Sequence, residues 1–206
     1  MEYESEYDWL AVETDEGERG WAATDFLIFD WEGFPASYPV PVHPAETRTG
    51  VGEVDALIAT VHARDARTLA QNLSPSWVAC VAEPSGDVAD PPLCEDDEPE
   101  GTLIEVLPFA RCHGYFTRVE SIGDALVPLI RYAPRIYAVF EVEDWPGGRP
   151  PGDYAVVFAL AGEEVSYAHT VYVDGSGIAH VSWGCGTDVF EAADRGNTFL
   201  LQPPPR

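Results

Sequence analysis

The chain has no lysine. All eleven of its basic residues are arginine, set among 206 residues that include 36 Asp and Glu, for a formal charge of −25. Without an amine on a flexible stem, a Walker-type phosphate loop and lysine Schiff-base chemistry are both excluded. So negative a field repels nucleic acid and anionic membrane, and it attracts basic proteins over a screening length of about 8–10 Å. The expected partner is therefore a basic protein, with no direct contact to nucleic acid or membrane. A GC-rich, salt-adapted host would produce the same bias, replacing Lys by Arg and selecting an acidic surface for solubility.

Cysteine is scarce as well. Cys80, Cys94, Cys112 and Cys185 lie at spacings of 14, 18 and 73, and no C-x-x-C pair suggests a zinc ribbon or a redox motif. They read as reduced, buried thiols. His113 adjoins Cys112, and neighbours on a strand point opposite ways, so no metal centre is expected there. No cofactor motif is complete. Neither a basic-then-apolar start nor a run of about 18–20 apolar residues occurs, and the expectation is a cytoplasmic protein.

What the chain does hold is apolar material: 46% of residues are hydrophobic and 12% aromatic, ample for a core and far above the content of a disordered chain. Residues 6–31 alternate apolar and polar positions on either side of DEGERG, the pattern of a β-hairpin. Four prolines in residues 33–50 mark a connector or an edge segment. Val54, Leu57, Ile58 and Val61 then stand at i, i+3, i+4 and i+7 on one helical face, in a helix expected to stop before Ser74-Pro75. SWVACVAE (76–83) reads as a buried strand, residues 84–101 as a long exposed loop, and TLIEVLPFARCHGYF (102–116) as strand. A short helix over SIGDALVPLIRYA (121–133) follows, then RIYAVFEVE (135–143) as strand. Beyond these comes a meander, with Asp174-Gly175 as its clearest hairpin turn. The expected organisation is an N-terminal hairpin module (1–33), a Pro-rich connector (34–50) and an α+β domain (51–206). Its fold would be a mainly antiparallel sheet with two helices packed against it.

Two stretches carry a resemblance. Trp9, Val12, Gly20, Trp21, Phe26 and Leu27 follow the W-x-x-V, turn, G-W-x-x-x-x-[FY]-L pattern of residues 7–27, which is similar to the last two strands of a bacterial Src-homology-3-like module. RCHGYF (111–116), PPGD (150–153), the strand ending at Phe158, and HTVYVDGSGIAH (169–180) together resemble the NlpC-type cell-wall peptidases, papain-like cysteine enzymes. That resemblance implies Cys112 as nucleophile, His169 as its base and His180 as the group orienting that base. Here Arg111 and His113 flank the cysteine in place of an acid and a serine, and Tyr172 follows His169 by three residues where the family has four. Strand alternation then sends His169 and Tyr172 to opposite faces.

The acids are unevenly placed. Residues 1–33 hold eleven carboxylates against Arg19 alone, with aromatics between them, and residues 83–105 hold nine against no arginine. Carboxylates around aromatic anchors suit a basic partner, since charge speeds encounter and rings supply buried contact. The candidate contact residues are Trp9, Glu13, Asp15, Glu16 and Trp21 in the hairpin, and Glu95, Asp96, Asp97 and Glu98 in the loop. The function expected from this is an acidic inhibitor that masks a basic protein, as DNA mimics and immunity proteins do. The alternatives are the cysteine peptidase or amidase, and a structural component of a larger assembly such as a virion.

Overall fold

A computed structural model describes residues 9–13, 19–23, 38–73, 75–83, 92–95, 97–111, 116–119, 126, 129–130, 134–143, 152–160, 167–196 and 198–205. Strands β1 (Trp9–Glu13) and β2 (Arg19–Ala23) form the expected antiparallel hairpin, with Trp9 opposite Ala23 and Glu13 opposite Arg19. Residues 38–50 are more than a connector. Val40 is buried, the His43 N–H donates to the Ile136 carbonyl at 2.9 Å, and the His43 ring reaches the Gln202 carbonyl at 2.9 Å.

The apolar face over Val54, Leu57, Ile58 and Val61 forms α1 (Gly52–His62), with all four side chains buried. The helix does not continue to residue 73 as its spacing suggests. Arg64 takes a left-handed φ of 55°, and Asp65 caps a second helix, α2 (Ala66–Gln71), by accepting the Thr68 N–H at 3.0 Å. An Asp side chain competes for backbone donors, so it favours a helix start over a helix interior.

A proline divides the next expected strand. β3 (Ser76–Ala79) pairs antiparallel with β4 (Leu103–Leu107), whereas β5 (Phe109–Arg111), just past Pro108, joins a different sheet. β6 (Thr117–Arg118) completes a three-stranded sheet in the order β3-β4-β6. Its inner face buries Cys80, Ile104 and Val106 against Val78, Cys94 and Phe116. Cys80 and Cys94 are joined by a disulfide, with their Cα atoms 5.0 Å apart, which corrects the expectation of reduced thiols for this pair. The chain doubles back beside β3 here: the Val81 N–H donates to the Pro92 carbonyl at 3.1 Å and the Cys94 N–H to the Val81 carbonyl at 2.9 Å. In the chain-entropy account, closing a loop of this size restricts the unfolded state by about 3 kcal/mol.

The main sheet is built from β7 (Arg135–Glu141), β8 (Tyr154–Ala159), β9 (Tyr167–Asp174) and β10 (Gly177–Asp188). After the short helix α3 (Val189–Ala193), β11 (Thr198–Leu201) returns to its edge. The order is β11-β7-β8-β9-β10-β5, antiparallel throughout except for the parallel pair β10–β5. The turn between β9 and β10 needs its glycine. Gly177 has φ 124°, and a Cβ there would stand 2.8 Å from the Asn72 carbonyl, the same oxygen that accepts the Ile178 N–H at 2.9 Å.

Both faces of this sheet are covered. On one, Val156, Phe158, Val171 and Val181 pack under α1 and α2, together with Leu126 and Leu129 from the expected helix over 121–133. On the other, Ala155, Val157 and Tyr172 pack under α3 and Val40. A register shift between Ile136 and Ala138 lets Tyr137 and Ala138 both join the second core while Ile136 and Val139 serve the first. The fold class is α+β, as expected.

Candidate functional site

His169 and His180 sit on adjacent strands, β9 and β10. His169 pairs with Phe158 on one side and Trp183 on the other, without a register shift between β8 and β9, so it shares the face of Val171 and the first core. His180 pairs with Tyr172, their rings 5.8 Å apart, on the face of the second core. The missing residue between His169 and Tyr172 does send the two to opposite faces, as the alternation requires. Both imidazoles are buried, at 3% and 2% exposure. Burial pushes His169 down to about 3 and His180 to about 4, the latter against a hydrogen bond to the Pro108 backbone, so both rings are neutral at physiological pH.

The fold therefore places the two histidines of the expected trio on opposite faces of the sheet. The sheet itself lies between the two imidazoles, and His169 is buried on the side of the first core. Cys112 lies outside the described residues. Arg111 before it stands in one cross-strand row with Trp183 and His169, two strand spacings or roughly 10 Å from the histidine backbone. Among the described residues, no group of three or more His, Cys, Asp or Glu is arranged to hold a metal ion.

The hairpin acids are only partly placed. Glu13 and Trp9 belong to β1 and Trp21 to β2, where Trp21 pairs with Ala11, while Asp15 and Glu16 lie outside the described residues. In the loop, Asp96 lies outside them too. Glu98 does not face outward as a free charge. Its carboxylate takes the Arg118 guanidinium, with Nη1 at 3.2 Å from Oε1 and Nη2 close to Oε2, and it also accepts the Glu95 N–H at 2.8 Å. Arg118 further donates to the Leu93 carbonyl at 3.1 Å and lies 3.8 Å from Glu95. These bonds hold the Glu98 carboxyl below the usual range, the guanidinium contributing most. So Glu98 is a structural anchor, Glu95 is turned partly toward the same arginine, and Asp97 remains exposed. Arg118 is twenty residues from Glu98, which is why a count of local charge missed it.

The feature that sequence reasoning missed altogether is the outer face of β3 and β4. SWVA was expected to be buried, yet Trp77 is 65% exposed. Among the described residues the core of this sheet lies on its inner face, and on the outer face only the Leu107 end of β4 is buried, in the first core, so Trp77 and Ala79 of β3 point away from both. Trp77 stands opposite Glu105, and Ala79 opposite Leu103, which is 63% exposed. Val81 continues the same row and bridges to Leu93, 51% exposed. Among the described residues these are the three large apolar side chains left exposed, and strand alternation puts all three on one face. Glu105 is exposed among them, and Glu83, Glu95, Asp97 and Glu100 are exposed on the loops that adjoin the Cys80–Val81 end.

Comparison with protein-family models, with curated proteins and with solved structures finds no match to this chain. The two resemblances noted above thus rest on the quoted residues alone. Among the described residues, no helix is long and apolar enough to cross a membrane.

Proposed function

We propose that the protein is an acidic binding protein that masks a basic protein partner, and that it docks through the outer face of β3 and β4. The observation that carries this reading is the gathering of Trp77, Leu93 and Leu103 onto one face with Glu105 among them. Single exposed apolar residues are ordinary on any surface, but a contiguous set rimmed by one sign of charge is characteristic of an interface. From Arg67 to Arg111 the chain has no basic residue, and residues 83–105 contribute nine carboxylates, of which Glu98 is neutralised by Arg118. A second copy of the chain would bring like charge to like charge, so charge complementarity favours a cationic partner.

This keeps the inhibitor reading, in the manner of a DNA mimic or an immunity protein, but moves its anchor from the hairpin tryptophans to Trp77. The Cys80–Cys94 disulfide argues for a setting in which thiols are oxidised, since such bonds are rare where glutathione keeps cysteines reduced, and cytoplasmic residence is not part of the reading. The test is affinity capture from the native host by the intact chain and by the double variant Trp77→Ser, Leu103→Ser. A basic protein retained at low salt, released as salt rises and lost by the variant is the expected result. Capture that ignores both salt and the two substitutions would end the proposal.

A further inference from the structure

We infer that the Trp77–Glu105 pair is a receptor for an arginine side chain of the partner, an inference that rests on the docking face proposed above. The Cys80 N–H donates to the Thr102 carbonyl at 2.9 Å, which makes Cys80 a hydrogen-bonding position of the antiparallel ladder, its own carbonyl accepting the Gly101 N–H at 3.0 Å. Alternation makes Trp77–Glu105 a non-hydrogen-bonded pair, the kind in which the two side chains stand closest, with Cα atoms about 4.5 Å apart. An indole face and a carboxylate are therefore held side by side on a rigid ladder, both open to solvent. No ion pair among the described residues uses Glu105.

A guanidinium meets both groups at once. Its plane stacks on the indole, where the ring quadrupole attracts a cation, and its edge donates to the carboxylate in the two-pronged geometry that an ammonium cannot adopt. The chain shows this carboxylate geometry internally, where Glu98 receives both terminal nitrogens of Arg118. Leu103 and Leu93 continue the face beyond Trp77, so the partner surface beside the arginine would be apolar. A lysine at the same place would keep the charge attraction and lose the planar stack and the second hydrogen bond.

The experiment titrates the intact protein with nona-arginine and with nona-lysine by calorimetry, in the wild type and in the variants Trp77→Ala and Glu105→Gln. Both side chains are exposed, and a thermal melt of each variant confirms that the fold persists. The expected result is about tenfold tighter binding of the arginine peptide by the wild type, with the preference lost in either variant while weak salt-dependent binding of both peptides remains. Equal affinities in the wild type, or an arginine preference that survives Trp77→Ala, would overturn the receptor and leave the acidic docking face standing. If neither peptide binds, both the receptor and the docking face fall.

Discussion

The six-stranded and the three-stranded sheets are made of similar residues and put them to opposite use. In the larger sheet, β8 is covered on both faces: Val156 and Phe158 lie under α1 and α2, and Ala155 and Val157 under α3. Even its polar residues are enclosed, as His169, Thr170 and His180 show. In the smaller sheet the inner face closes over Cys80, Ile104 and Val106, while the outer face leaves Trp77 and Leu103 in water. A sheet with two packed faces is a scaffold. The smaller sheet is tied at its end by a disulfide and by Arg118, and part of its outer face, at Trp77, Leu103 and Glu105, is exposed. In the docking proposed above, a face already ordered by these ties would pay less on binding.

This contrast can be broken most forcefully in the scaffold. Phe158→Ala removes a fully buried ring from β8 and should cost about 3–5 kcal/mol in chemical denaturation, as large-to-small core substitutions do. A much smaller loss would mean that the first core is loosely packed. The next effect comes from acid. In the unfolded chain His169 and His180 take up protons below about 6.5, but burial denies them to the folded rings until about 3 and about 4. Their contribution is complete above pH 6.5 and is lost as the pH falls toward those values. That amounts to about 2 kcal/mol for each ring by pH 5, before most carboxylates titrate. A denaturation midpoint unchanged between pH 7 and 5 would show that the two imidazoles are not held neutral in the sheet. The smallest effect sharpens the comparison: Trp77→Ala deletes a larger side chain than Phe158→Ala does, yet should change stability by less than about 0.5 kcal/mol. A core-sized loss at Trp77 would mean that the tryptophan packs in the fold after all.

Much of the scaffold was legible from spacing. The buried positions of α1 emerged at the expected four residues, the hairpin β1–β2 formed around DEGERG, and the meander β7 to β10 followed its alternation. The β9–β10 turn closed at Asp174-Gly175 as expected, with the Ser176 N–H donating to Asp174 at 2.8 Å, but the positive φ it needs is taken by Gly177 and not by the Asp-Gly pair. The candidate site was far less legible. Trp77 has the local pattern of a core strand residue, and it is exposed because none of the core clusters of the described residues includes the outer side of β3. Glu98 looked like one of several solvated acids until Arg118 arrived from β6. The histidine pair looked like a catalytic arrangement because motif spacing records order along the chain and not the face each residue occupies.

What the residues determined by themselves is what short-range physics governs: the excess of carboxylate over guanidinium, the lack of any lysine amine, the helical stripe of α1 and the turn at Asp174-Gly175. Those depend on side-chain chemistry and on dihedral preferences a few residues apart. The tertiary structure alone decided that Pro108 hands its two flanking strands to different sheets, that Cys80 finds Cys94, and that Trp77 looks outward beside Glu105. Each of these depends on which distant segments meet when the chain closes its loops, and on which faces are left over once the buried ones are filled.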